Sequence, residues 1–194
     1  GIINTTTITS GGSGYTAVPV VSATDSGTPS GFTAASFTAT LTNGSVSAIT
    51  INSGGKDYNV PSLTIAAPTA ITFDGSDDEV LGTGIVNIND DTIKLTSAQQ
   101  SALPVDAIVT YNSGGGTSIG GLTSGTQYKI HTSGSNKVKL KTMSGSSAIN
   151  ITSVGTGTSH TFTGTTATGS ATSQNGVLES VSIQEPGFGY ASAP

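Results

Sequence analysis

The segment Asn43-Gly44-Ser45-Val46-Ser47-Ala48-Ile49-Thr50-Ile51-Asn52-Ser53-Gly54-Gly55-Lys56-Asp57-Tyr58-Asn59-Val60-Pro61 decides the fold. Asn-Gly beside alternating residues is the strongest short hairpin signal, because a type I′ turn needs positive φ at both central positions. The residues after it place Ile49 and Ile51 on one face of a strand. Gly54-Gly55 ends that strand, and Tyr58 is expected to pack its ring back on the sheet edge. Pro61 cannot donate to a ladder, so it opens a new edge-type strand, Ser62-Leu63-Thr64-Ile65.

The same pattern occurs three times. Ile8-Thr9-Ser10-Gly11-Gly12-Ser13-Gly14-Tyr15 leads to Pro19, and Ile183-Gln184-Glu185-Pro186-Gly187-Phe188-Gly189-Tyr190 leads to Pro194. Each tyrosine follows a glycine by three positions (Gly12, Gly55, Gly187) and an isoleucine by seven. The second and third copies also match upstream without a gap: Asn43-Gly44 with Asn175-Gly176, Val46 with Leu178, Ile49 with Val181. Gly12, Tyr15, Pro19, Gly55, Tyr58, Pro61, Gly187, Tyr190 and Pro194 therefore read as structural corners, each stapled by its tyrosine. The competing reading makes each tyrosine a ligand platform; buried Tyr more often serves packing plus one hydrogen bond. A further strand is due after Pro194, so the pattern anticipates a longer polypeptide or a neighbouring subunit that supplies it.

Residues 70–165 differ in texture and hold most of the charge. Ile85-Val86-Asn87-Ile88 and Thr92-Ile93-Lys94-Leu95 read as one hairpin. Gln127-Tyr128-Lys129-Ile130-His131 and Lys137-Val138-Lys139-Leu140-Lys141 read as a second. Ile149-Asn150-Ile151 with His160-Thr161-Phe162-Thr163 suggest a third, and the helical candidate is Ser97 to Leu103, cut off by Pro104. Copies two and three keep one register across this break, so residues 70–165 read as a small β domain inserted in a loop. The repeat domain is then discontinuous, residues 1–69 and 166–194. The expected fold is all-β: a β-sandwich-like repeat domain carrying a second small β domain.

Composition agrees. The chain has 194 residues, 9% of them charged, with 27 Gly, no Cys and no Trp. Ser and Thr fill about 60 positions, a share suited to strands and turns. Without cysteine there is no disulfide scaffold and no thiol nucleophile. A net charge of -5 with six Lys and no Arg argues against a nucleic-acid surface. The apolar runs are too short to span a bilayer, and the segment after Gly1 is not a signal peptide.

Few residues offer chemistry. Asp74, Asp77, Asp78 and Glu79 form a weak calcium candidate, with Asp90 and Asp91 as further ligands. The spacing departs from an EF-hand, and a solvated acidic turn is the plainer reading. Lys137, Lys139 and Lys141 point off one strand face and Lys129 joins them as a surface contact. They either discourage edge pairing, meet the Asp74–Glu79 turn, or meet a glycan. His131 and His160 are too few for a histidine metal site. No nucleophile elbow and no phosphate loop is present, and paired acids for glycoside cleavage exist only in the Asp74–Asp91 cluster.

The repeated Gly-x-Gly-Tyr-x-x-x-Pro pattern resembles virion structural proteins of tailed bacteriophages, particularly large appendage proteins of marine phages. The run from Gly114 to Tyr128, followed by Asn136-Lys137-Val138-Lys139-Leu140, looks like a small β module of phage fibre-type proteins and large bacterial surface adhesins. The resemblance implies a non-catalytic structural part of a phage particle (tail fibre, spike, baseplate or capsid-bound appendage) with a contribution to host-surface attachment. It implies no cofactor and no catalytic residue. Its partners would be other copies of itself, a trimer favoured, other virion proteins and a host-surface glycan. Its location would be the virion. The alternatives are a repeat module of a secreted adhesin on a bacterial cell surface and a carbohydrate-binding module.

Overall fold

The computed structural model describes residues 1–26, 30–79 and 84–174, and among these it forms thirteen strands and one short helix. The fold is all-β, and the repeat gives part of it a two-fold plan. β1 (Ile2–Ser10) and β4 (Ser45–Ser53) lead into the first two tyrosine corners and lie 43 positions apart at both ends. Their antiparallel partners, β13 (Thr168–Gln174) and β3 (Ser36–Thr42), lie 132 positions apart at both ends. The two ladders share one register. Thr6 faces Ala171 as Ile49 faces Ala39, and Ile8 faces Gly169 as Ile51 faces Phe37. Even the irregularities coincide, with Asn4 passed over in β1 and Ser47 in β4.

The halves clasp each other reciprocally. Ile3 N–H donates to Gly54 O and Val46 N–H to Gly11 O, both at 2.8 Å. Tyr58 N–H donates to Gly1 O at 2.9 Å and Tyr15 N–H to Gly44 O at 3.0 Å. Contacts of the form i to j and j to i are the mark of a two-fold relation. The strands after the corners, β2 (Val21–Asp25) and β5 (Pro61–Ile65), pair with each other, Ala23 opposite Leu63. Their inward residues pack in a sandwich-like way on the β1–β13 and β3–β4 ribbons. One apolar cluster holds Tyr15, Val21, Ala39, Val46, Ile65 and Ala167; a second holds Ile3, Ala23, Tyr58 and Ala171.

A seven-stranded antiparallel sheet is drawn entirely from residues 71–164. Its strands are β6 (Ile71–Phe73), β7 (Val86–Asn87), β8 (Thr92–Lys94), β9 (Ile108–Asn112), β10 (Gln127–Gly134), β11 (Lys137–Thr142) and β12 (His160–Gly164). Their spatial order is β6-β12-β9-β10-β11-β8-β7. Alternation fills one face: Val109 and Tyr111, Tyr128 and Ile130, Val138 and Leu140, His160 and Phe162 are all buried. The short helix α1 (Ser97–Ser101) starts on a capping box between Thr96 and Gln99 and ends ahead of Pro104. None of the described helices is long and apolar enough to cross a membrane.

The β7–β8 and β10–β11 hairpins form where the sequence places them, the latter turning on Ser135 and Asn136 at positive φ. The expected pairing of Ile149–Ile151 with His160–Thr163 does not form. β12 instead lies between β6 and β9, where its alternating His160 and Phe162 both reach the core. Ile149 and Ile151 hang their amides on Leu140 O and the Asp91 carboxylate, outside any strand.

The corners require glycine at Gly12 and Gly55, which take φ +65 and +66. A Cβ at Gly55 would lie 2.5 Å from Thr33 O, and one at Gly12 would lie 2.3 Å from Thr165 O. Gly55→Ala should therefore destabilise the fold by roughly 2–4 kcal/mol, from left-handed strain plus backbone overlap. Gly134→Ala meets nothing within 4 Å and should change stability by less than about 0.5 kcal/mol, both variants being read from urea denaturation midpoints.

Candidate functional site: paired tyrosine corners and a lysine face

Each corner is built by a strand that ends on Ser-Gly-Gly. The Ser10 hydroxyl accepts from Gly12 N–H and the Ser53 hydroxyl from Gly55 N–H, both at 3.4 Å. The chain then turns back, and the tyrosine ring enters the core. Tyr15 is 3% exposed and Tyr58 is fully buried. Each hydroxyl bridges two backbone segments. Tyr15 OH donates to Ala66 O and accepts from Ala167 N–H, both at 2.9 Å. Tyr58 OH donates to Ala23 O at 3.3 Å and accepts from Ala35 N–H at 2.8 Å. These partners are related by the same two offsets as the strands. A ligand has no access to either ring face. Pro19 lies just ahead of β2 and Pro61 opens β5. Gly187, Tyr190 and Pro194 lie outside the described residues.

The Tyr15 corner also meets the seven-stranded sheet. Buried Ser13 donates through Oγ to Ile108 O at 2.6 Å, and Gly14 N–H donates to Ala102 O at 3.1 Å. Ala66 and Ala167, both held by Tyr15, flank the sequence that builds that sheet. Ser13 was not legible as a contact residue, because Lys56 takes its place in the second copy. That departure from the repeat was the available signal.

The lysines fall on β10 and β11, with Lys129 directly across from Lys141. β11 lies between β10 and β8. β8 covers β11 only at Lys137 and Val138, so Lys137 does not protect a sheet edge. Lys137 pairs instead with Glu79 of the acidic turn at 2.8 Å, and Lys141 with Asp106 at 2.6 Å.

The carboxylates do not converge. Asp74 accepts from the Ser76 N–H and hydroxyl, which hold its carboxyl below the usual range. The hydrogen bond from Lys137 does the same to Glu79, against the opposing effect of burial. Asp91 accepts from Ile151 N–H. No three metal-ligating side chains gather among the described residues. His160 is buried between Tyr111 OH at 2.8 Å and Thr156 O at 3.0 Å, while His131 lies on β10 with β9 between them. Desolvation pushes the Tyr111 hydroxyl upward, so it stays protonated. Sequence reasoning found too few histidines for a metal site and assigned no role to His160 or Tyr111, although the period-two partner Val109 marks Tyr111 as inward-facing. A groove of about 320 Å³ beside Phe73, Ile85 and Leu95 has Lys94 as its titratable group; another of about 540 Å³ has Asp25.

Comparison of the chain with family models, with curated proteins and with solved structures finds no match in any of the three.

Two predictions follow from this geometry. Tyr15→Phe and Tyr58→Phe each strand a backbone N–H, at Ala167 and Ala35. Each should cost roughly 1–3 kcal/mol in chemical denaturation, with faster hydrogen exchange at those two amides. Glu79 titrates below its ordinary value in the folded state, so its stabilisation is present above about pH 4.5 and is lost as pH falls through the lower folded value. Lys137→Met should weaken the fold by roughly 1–3 kcal/mol at pH 7. The gap between variant and parent should close towards pH 3, read from denaturation midpoints across pH.

Proposed function

We propose that this chain is a passive structural component of a bacteriophage particle: a tail-fibre, spike, baseplate or appendage domain without catalytic activity. The observation that carries the reading is the duplicated corner. The same glycine turn, strand register and bridging tyrosine hydroxyl are used twice, to hold strands together. A duplicated strand-clasping unit is a means of building extended objects, and it uses its buried polar groups on its own backbone. The resemblance of the Gly-x-Gly-Tyr-x-x-x-Pro pattern to virion structural proteins supplies the phage setting. Residues 70–165 are read as a domain inserted in this scaffold, since Tyr15 pins Ala66 and Ala167 at the points where the chain leaves and returns. Copies of the chain and other virion proteins are its partners in this reading, on an extracellular particle.

Antibody raised against this chain should decorate intact, purified particles at regularly repeated positions in electron micrographs. Incubation with host polysaccharide should release no reducing ends. Label confined to protein free of particles, or steady release of sugar, would overturn the proposal.

A further inference from the structure

Charge is sorted on this chain. Five of its six lysines project from the face of the seven-stranded sheet that is turned away from the core. Lys137, Lys139 and Lys141 follow one another along β11 at steps of about 7 Å, on the side opposite buried Val138 and Leu140. Lys129 of β10 stands across from Lys141, and Lys94 of β8 across from Lys137. The lysines thus form one connected patch over three strands. Two carboxylates reach it, Glu79 on Lys137 and Asp106 on Lys141. Lys94, Lys129 and Lys139 form no ion pair among the described residues. A surplus of three positive charges therefore sits on one face of a chain whose formal net charge is -5.

Asp106 shows what this patch accepts. It is a non-glycine residue at φ +68, held there by its own N–H on Ile130 O at 2.9 Å and by the Ala107 N–H on Pro104 O at 3.0 Å. That turn delivers its carboxylate from the solvent side, 64% exposed, onto Lys141 at 2.6 Å. The hydrogen bond from Lys141 holds the Asp106 carboxyl below its usual range, and the charges of Lys129 and His131 add to the effect. A carboxylate brought from solvent is thus stabilised at one end of the patch. The side chains around the lysines choose among anions. Thr110, Gln127 and Thr132 share the lysine face and carry hydroxyls and an amide, while Ile108, across from Lys129, adds one apolar side chain. Protein interface cores are depleted in lysine and built on apolar anchors, which this patch is not. Nucleic-acid bases stack on aromatic rings or arginine planes, and these strand positions offer neither. A polymer of uronic acids brings one carboxylate per sugar and hydroxyls on the same ring, the two groups that the lysines and their neighbours satisfy.

We propose that the lysine face of the seven-stranded sheet binds an acidic polysaccharide, with uronate carboxylates on Lys94, Lys129 and Lys139 and sugar hydroxyls on Gln127 and Thr132. This goes beyond the structural reading and does not rest on it, because the patch is complete within one copy of the chain.

The full chain is passed over immobilised polygalacturonate, poly-L-glutamate and neutral dextran. Polygalacturonate should retain it at low salt and release it as salt rises, since the contacts are ionic. Dextran should not retain it, and poly-L-glutamate, which lacks the hydroxyls, should bind it less tightly. Lys129→Gln/Lys139→Gln removes two lysines without touching either ion pair of the patch. It should weaken binding to polygalacturonate by roughly tenfold, the combined effect of two exposed charge contacts, with the urea midpoint of the fold unchanged. Lys56→Gln, outside the patch, should leave binding as it is. The proposal is overturned by absence of salt-sensitive retention on polygalacturonate, by equal retention of parent and double variant, by an equal loss in Lys56→Gln, or by tighter binding to poly-L-glutamate. None of these outcomes touches the structural reading, which depends on particle labelling and sugar release.

Discussion

A buried tyrosine hydroxyl that donates to one strand and accepts from another is the constraint on which the two-fold half of this protein depends. The hydroxyl satisfies a carbonyl and an amide at once, from outside any ladder. Buried backbone groups must be paired, and the segments at Ala35 and Ala167 approach the corners where no strand is available to pair them. The glycine at each corner permits that approach, since any Cβ there would overlap the backbone that the tyrosine secures. Turn and hydroxyl therefore work as one device. It suits a chain whose apolar residues are small, because it fixes strands without requiring a deep core.

The parts that were legible in the sequence are those whose signal is local. Asn43-Gly44 announces its hairpin, Ser135-Asn136 sits in a recognisable turn, and Pro104 cuts off the short helix that begins at Ser97. The tyrosine register was legible because a repeat compares the chain with itself. The partner of each corner was not. β13 reads Thr-Gly-Ser-Ala-Thr-Ser-Gln, with Ala171 as its sole apolar residue, and has no alternation to mark a strand. Its identity emerges only by laying it on β3, where Phe37, Ala39 and Leu41 supply the pattern that β13 lacks. Pairing of β1 with β13 is also far from local, and no turn residue encodes it. The misplaced third hairpin has the same origin. Ile149-Asn150-Ile151 alternates like a strand, but it buries Ile151 against the sheet without joining it.

The candidate site was legible in residue type more than in role. The lysines alternate as expected, yet β8 pairs along β11 at Lys137 and Val138, and sequence period alone does not reveal such neighbours. The acidic turn and the lysine strand do meet, through Glu79 and Lys137. Glu79 is buried and Lys137 part-buried, and the hydrogen bond from Lys137 draws the carboxyl downward against the effect of burial, while Asp77 and Asp78 of the same turn stay exposed.

The two corners differ where their surroundings differ, and this shows how one device serves two ends. Ser13 N–H donates to Thr165 O as Lys56 N–H donates to Thr33 O, and positive φ recurs at Gly14 and Asp57. The backbone is thus the same in both copies. In the first copy the side chain is a buried serine that reaches Ile108 of the larger sheet. In the second it is a lysine whose side chain is 66% exposed. A hydroxyl fits between two backbones where an ammonium would be desolvated, so the exchange of Ser for Lys separates a corner that abuts a neighbouring sheet from one that faces water. The turn, the strand pairing and the tyrosine bridge are indifferent to that exchange. The repeat can therefore acquire or lose a neighbour at its corner without altering the geometry that holds its own strands together.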